Sequence, residues 1–396
     1  MGVMKTVDGT NGDMRLMRVV KQFCLGMICL GGAVCAAEDW PVFRGGTDLV
    51  GFVGVPVALP LERLWVVKTG DAVHSSPVVA GDQVFFGSRD ERVRAVNLIN
   101  GSNLWTTAVG GGVEAAPLVV GGVVYVGASD GGFYALDAVT GAIRWTAKTQ
   151  GKIVGSANVV SLTNSERRVV VVGSYDELLY AFDAVTGSNL WTVAGGGFIN
   201  GTAAVWGDKV VFGGCDMALR VVDAGLGKVV REIKLNSYIP GSPAVADGRV
   251  YLGHFGNEFL CVDLRDGKTV WRLEREGAPV FSTPAVGARR VVFGARDMKV
   301  HCVNRFEGVE VWSFPAGGDV DSSPVIAGDQ VIFGSDDGRV RVVNLESGKL
   351  MWSYEIGAAI KTSPAVVRGM ILVGAEDGCV YAFRGKNPES GSQKSE

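Results

Sequence analysis

The 396-residue chain carries a formal net charge of -3 and 57 glycines among frequent valine, isoleucine and threonine, the composition of many short strands joined by tight turns. That balance leaves no basic surface from which a phosphate backbone gains affinity by counterion release, which excludes nucleic acid as a partner. Length alone suggests two or three domains, but internal repeats override that rule and are sought first.

At the N-terminus, Arg15, Arg18 and Lys21 precede an apolar stretch from Phe23 to Val34, which Cys35-Ala36-Ala37 follows. A basic start, a short apolar run and small residues behind it make a secretory signal peptide cleaved near Ala36 or Ala37. The run falls well short of the ~20 residues that cross a bilayer. The mature chain is therefore expected to lack a transmembrane helix and to be exported, to the periplasm or cell envelope. Met14 is the more natural initiator, which makes residues 1–37 an over-long start plus signal. Gly32-Ala33-Val34 is a poor lipobox, so lipid anchoring at Cys35 is not expected.

Residues 38–61 form a lead-in, and repeats follow over 62–385. Asn97-Leu-Ile-Asn-Gly101-Ser-Asn-Leu-Trp105 returns as Asp137-Ala-Val-Thr-Gly141-Ala-Ile-Arg-Trp145 and as Asp183-Ala-Val-Thr-Gly187-Ser-Asn-Leu-Trp191. The turn glycines Gly101, Gly141, Gly187, Gly227, Gly267, Gly308 and Gly348 are 40, 46, 40, 40, 41 and 40 residues apart, which is radial repetition. The long interval contains a polar insertion at Ser161–Arg168, expected to be a hairpin loop. Each repeat divides into four short strands, as at 76–79, 84–87, 93–96 and 104–109, and four strands make one propeller blade.

The outer-strand tryptophans Trp65, Trp105, Trp145, Trp191, Trp271, Trp312 and Trp352, with Arg231 in the remaining slot, count eight blades and are read as structural wedges between sheets. The fold expected is all-β, an eight-bladed propeller of four-stranded antiparallel blades. Trp65 has an outer strand with no inner strands before it, and residues 362–383 supply three inner strands with no outer one. The N-terminal outer strand therefore closes the ring on the C-terminal three, which removes two exposed edges. Each innermost strand begins with hydroxyls and a proline, as in Ser75-Ser76-Pro77, and is expected to face the channel with one edge unpaired, where proline is tolerated. Residues 386–396 are expected to be a disordered tail.

The segment Tyr134-Ala-Leu-Asp-Ala-Val-Thr-Gly141-Ala-Ile-Arg-Trp145 and its copies resemble the repeat of pyrroloquinoline-quinone-like propellers, and Trp40-Pro-Val-Phe-Arg-Gly-Gly46 resembles the mature start of exported BamB-like propellers. The resemblance implies one of two functions. BamB-like members are non-enzymatic scaffolds that dock partner proteins during outer-membrane protein assembly. Quinoprotein dehydrogenases hold the quinone in the funnel against a disulfide of adjacent cysteines, with calcium on carboxylate and amide ligands. Cys215, Cys261, Cys302 and Cys379, which remain after the signal, include no adjacent pair. The chain is accordingly read as a monomeric scaffold with a protein partner and no cofactor, the alternative being a reduced dehydrogenase that binds the quinone and calcium.

No motif for catalysis or metal binding is present. His74, His254 and His301 lack metal-ligand spacing, the four cysteines are read as buried free thiols, and the repeated Asp90, Asp130, Asp176, Asp216, Asp297, Asp337 and Asp377 are read as turn caps. The turn His254-Phe255-Gly256-Asn257 departs from that rule and is a candidate contact. The residues before each innermost strand are not dictated by the repeat and should ring the channel mouth: His74, Glu114, Val154, Asn200, Pro240, Phe281, Asp321 and Lys361. Of these, His74, Glu114, Asn200, Phe281, Asp321 and Lys361 are the candidates for binding a ligand or partner. Asp321, Lys361, His74 and Glu114 make a charged arc opposite an apolar side, which either binds a small ligand or peptide or is solvated charge that pairs with itself.

Overall fold

The computed structural model describes residues 39–386 apart from Asn164, Glu166 and Glu276. The expected signal peptide, Cys35 and nearly all of the expected tail lie outside the described residues. Eight antiparallel sheets of repeat strands form an eight-bladed propeller. Blade 1 runs Val78–Ala80, Gln83–Ser88, Arg92–Asn97 and Asn103–Ala108, within one or two residues of the sequence expectation, the innermost strand starting just after Pro77. Ring closure is as expected: Leu61–Lys68 pairs antiparallel with Cys379–Gly385, which continues to Met370–Gly374 and Ala365–Val367 as blade 8. The insertion joins Asn158–Ser161 to Arg168–Gly173 as the long first hairpin of blade 3.

Tryptophan and turn glycine prove to be one device spread over two blades. Trp352 donates to Leu61 where the chain ends close blade 8. The other six of the seven indole N–H groups donate to a main-chain carbonyl of the next blade's third turn, as Trp65 does to Leu98 at 2.9 Å, Trp105 to Ala138 at 3.0 Å and Trp312 to Leu345 at 2.8 Å. The ring packs on the glycine of that turn, so closely that a Cβ on Gly141 would stand 2.6 Å from Trp105. Gly141 also has φ +72°, so glycine is needed there both for its backbone and for the indole it receives. In blade 4, Arg231 does the same work by donating to the carbonyls of Arg265 and Asp266.

The channel edge differs from the expectation. The innermost strands are not left unpaired there, because the lead-in winds round the axis and accepts their inward N–H groups one blade after another. Val79 donates to Trp40, Val119 to Pro41, Val205 to Thr47, Val245 to Asp48, Val286 to Val50 and Ile326 to Gly51. At blade 7 the lead-in becomes a short parallel fifth strand, Phe52–Val53 on Val325–Ala327. Blade 3 is served by a side chain: Asn158 Oδ1 accepts the Val159 N–H, and its Nδ2 donates to Thr47 and Ala203. A backbone donor left without a partner inside the ring costs about 1–3 kcal/mol, so this coil supplies what the converging sheets cannot supply one another. Arg44 lies buried within it and donates to the carbonyls of Ser323 and Pro324; burial lowers its pKa to about 9.

Nearer the mouth a belt of hydroxyls links the blades in two runs, from blade 2 to blade 5 and from blade 6 to blade 1. The backbone N–H of Ala116 donates to Ser156 Oγ, Ser156 to Thr202, Thr202 to Ser242, Thr283 to Ser323, Ser323 to Ser363, and Ser363 to Ser76. The first hydroxyl of each pair accepts a backbone N–H of its own blade, as Thr362 does from Gly374, and Ser75 and Ser322 donate onward to the carbonyls of Ala115 and Thr362 in the next blade.

At the second turns the aspartates cap as expected, Asp130 accepting the Gly132 N–H and Asp377 that of Cys379. In blade 6 the capping aspartate also enters a buried charge cluster. His301 is fully buried, with Nε2 3.1 Å from Asp297 and Nδ1 2.9 Å from Glu310, while Arg275 reaches both carboxylates at 2.8 Å. Burial pushes the Asp297 carboxyl up, but His301 and Arg275 outweigh it and hold the group at about 2.

A folded-state pKa below the ordinary 3.8 means that the Asp297 contribution is present above that value and is lost as pH falls toward 2. Asp297→Asn is expected to unfold with a flatter pH dependence than the wild type from about pH 4 downward, read by denaturant titration at stepped pH. For the lead-in, a side chain at Gly51 meets both a φ of +58° and Arg44 Nη2 at 1.9 Å. Gly51→Val is expected to lower Tm and to raise amide exchange selectively at Val205, Val245, Val286 and Ile326; uniform exchange would contradict the assigned role of the coil.

Candidate functional site

The channel mouth is a cavity of about 250 Å³ lined by His74, Glu114, Val154, Asn200, Pro240, Phe281, Asp321 and Lys361, with Phe43 of the lead-in and the hydroxyl belt beneath them. The structure thus brings together all eight residues that precede the innermost strands. Strand alternation puts the second turns on this same face, because each innermost strand starts at the end where the second strand stops.

The charged residues do not pair along their own ring. Each bonds the second turn of the preceding blade: Glu114 to Arg89 at 3.0 Å, Asp321 to Arg296 at 2.7 Å, Lys361 to Asp336 at 2.9 Å and His74 to Glu376 at 2.8 Å. Burial lowers the Lys361 pKa, but Asp336 outweighs it, supported by Asp321 and Glu376, and the group stays charged. Asp321 likewise raises the pKa of Arg296. The turn partners went unread in the sequence, although a signal is there. Each stands just before the repeated turn aspartate, opposite in charge to the residue 25 positions later in three of the four pairs, while ring closure supplies the fourth.

The other half of the mouth is aromatic and extends beyond the cavity. Tyr175 stacks on Phe198 at 4.8 Å in blades 3 and 4, and Phe255 meets Phe281 edge-on at 4.9 Å in blades 5 and 6. Phe198, Tyr238 and Phe255 are 48%, 47% and 43% exposed, high for large apolar side chains on one face. Cations frame the arc, Lys152 over Tyr175 at 4.3 Å and Arg296 over Phe281 at 3.7 Å. The sequence reading picked out Phe281 and the 254–257 turn but missed Tyr175, which stands just before the repeated Asp176, and Phe198 and Tyr238, each two residues before a residue of the mouth ring. Within that turn His254 is buried, bonded to Glu258 and accepting the Gly256 N–H, so Phe255 is the residue presented outward.

Asn200 lies within the aromatic half, in blade 4. Its Nδ2 donates to Cys215 Sγ at 3.3 Å, while its buried Oδ1 has no partner. Cys261, Cys302 and Cys379 are buried free thiols as expected, but Cys215 is only partly buried. The reason is its place beside Asp216, the rim position that Arg89 and Arg296 hold in blades 1 and 6. Burial raises the Cys215 pKa, so it is not an activated nucleophile. Among the described residues no three His, Cys, Asp or Glu side chains converge as a metal site would require. The seven tryptophans all serve the inter-blade contacts described above.

Known structures share this architecture. BamB from Moraxella catarrhalis superposes with a TM-score of 0.70 at 21% identity, over 83% of this chain and 98% of that one. Quinohemoprotein alcohol dehydrogenase from Comamonas testosteroni superposes at 0.77 with 15% identity, over 89% and 82%. In sequence, the dehydrogenase subunit of a quinone alcohol dehydrogenase from Komagataeibacter europaeus is 37% identical over a segment that makes up 18% of this chain and only 12% of the relative. The family model described as outer membrane protein assembly factor BamB matches residues 62–174, 131–280 and 260–393, so successive matches run through the whole repeat region. The chain belongs to that family of pyrroloquinoline-quinone-repeat propellers.

Proposed function

We propose that the protein is a non-enzymatic, exported scaffold that docks a protein partner on its channel-mouth face, in the manner the BamB name suggests for outer-membrane protein assembly. The observation that carries this reading is the exposed aromatic arc of blades 3 to 6 beside a charged arc already held in place by its own ion pairs. Aromatic anchors within a polar rim are what protein interfaces concentrate.

The dehydrogenase alternative is not supported by the residues present. In the quinone site that the family resemblance implies, calcium needs free carboxylates, yet Glu114 and Asp321 are each engaged by an arginine. Among the described residues no two cysteines are adjacent to form a disulfide platform, and Cys215, beside Asn200 of the mouth, is a free thiol. The residues present do not fit a quinone and calcium.

Photo-crosslinking from Phe198, Tyr238 and Phe255 in cell-envelope extracts is expected to trap one discrete partner, with Ile99 and Phe306 on the opposite face as controls. Phe198→Asp combined with Tyr238→Asp is expected to weaken capture at least about tenfold, a loss of about 1.4 kcal/mol, at unchanged Tm. Equal crosslinking from both faces would overturn the assignment.

A further inference from the structure

A second cleft, of about 350 Å³, lies between blades 2 and 3 on the face opposite the mouth. Its walls are Tyr125, Trp145, Val120 and Val123 from blade 2, and Ala184 and Val185 from blade 3. Three guanidinium groups border it, Arg144 from the outer strand of blade 2 and Arg167 and Arg168 from the long first hairpin of blade 3. The insertion that lengthens one repeat interval therefore builds one side of the cleft.

The molecule contains its own comparison. Blade 5 carries a tyrosine at the same repeat position, Tyr251, and there the space is filled. Arg305 of blade 6 lies over it, with Nε 3.1 Å from the Tyr251 hydroxyl and the rest of the guanidinium on the Gly287 carbonyl and Asp247. Ala184 stands at the repeat position of Arg305, each directly following the residue that opens the third turn. Tyr125 donates instead to the Ala184 carbonyl at 2.8 Å, its ring packs beside Trp145 with centroids 5.7 Å apart, and no arginine takes the place that Arg305 holds over Tyr251. Burial pushes the Tyr125 phenol up to about 12, so it remains neutral and does not repel an anion.

The charge balance narrows the ligand. Arg144 pairs with Asp137 at 2.6 Å and Arg167 with Asp183 at 3.0 Å, which leaves Arg168 without an ion-pair partner among the described residues. One uncompensated guanidinium suits one negative charge, and its planar fork suits a carboxylate. The remaining surface is an indole, three valines and an alanine, which calls for an apolar body. Val185, at 84% exposed, is the surface such a body would cover. The volume lies in the range of small-molecule sites.

We propose that this cleft binds a small aromatic monocarboxylate, its carboxylate on Arg168 and its ring between Trp145 and Val185. The site is independent of partner docking, since it lies on the other face and shares no residue with the mouth. Calorimetric titration of the full folded chain with 3-phenylpropionate is the test, run beside the uncharged 3-phenylpropan-1-ol and inorganic phosphate. Saturable binding of the carboxylate is expected, weaker by about tenfold or more for the alcohol and in Arg168→Gln, and lost in Ala184→Leu, which fills the cleft. Arg168 is exposed, so its variant carries the test if Ala184→Leu fails to fold. Absence of saturable binding, phosphate binding as tight as the carboxylate, or undiminished binding in Arg168→Gln would overturn the proposal.

Discussion

Eight sheets arranged about one axis bring eight strand edges together where neither solvent nor a neighbouring strand can satisfy them fully, and much of this molecule answers that constraint. The prolines at the start of the innermost strands remove some inward donors, the hydroxyl belt accepts others, and the lead-in coil takes those nearest the floor. The coil needs left-handed backbone at Arg44, Gly45, Leu49 and Gly51 to turn round the axis, and its side chains Trp40, Val42 and Leu49 are buried as deeply as the blade cores. A propeller with this floor presents a cup at the mouth face.

That floor shapes the mouth. With the lower channel filled by backbone, the cavity that remains is shallow and ringed by residues free of the repeat's structural demands. Charged residues there are braced by the preceding blade, so little side-chain freedom remains to be lost when a partner binds. The aromatic half is braced by ring contacts between neighbouring blades and stays partly exposed. Rigid charge next to exposed rings favours a docking face over a reaction chamber.

The fold was legible because its signals are local and repeated. A glycine with positive φ and a tryptophan four residues later recur in seven copies, with Arg231 the exception in the tryptophan series, and the truncated first and last copies announce ring closure. The mouth ring was legible by position, since its eight residues precede the innermost strands. Its pairings were not, because Arg89, Arg296, Asp336 and Glu376 reach it from the blade before. The lead-in's role was hidden for a different reason: it bonds through main-chain carbonyls, which no residue type marks. Cys215 and Tyr175 hold the rim position beside the turn aspartate that Arg89 and Arg296 hold elsewhere, and reading that position in all blades would have found them.

The central claim is that the mouth is a docking face and not a cofactor chamber, and calorimetric titration of the folded chain with pyrroloquinoline quinone and calcium tests it most directly. The account predicts no saturable heat, with or without the metal. Tight binding that requires calcium and disappears in Lys361→Ala and Glu114→Ala would contradict it.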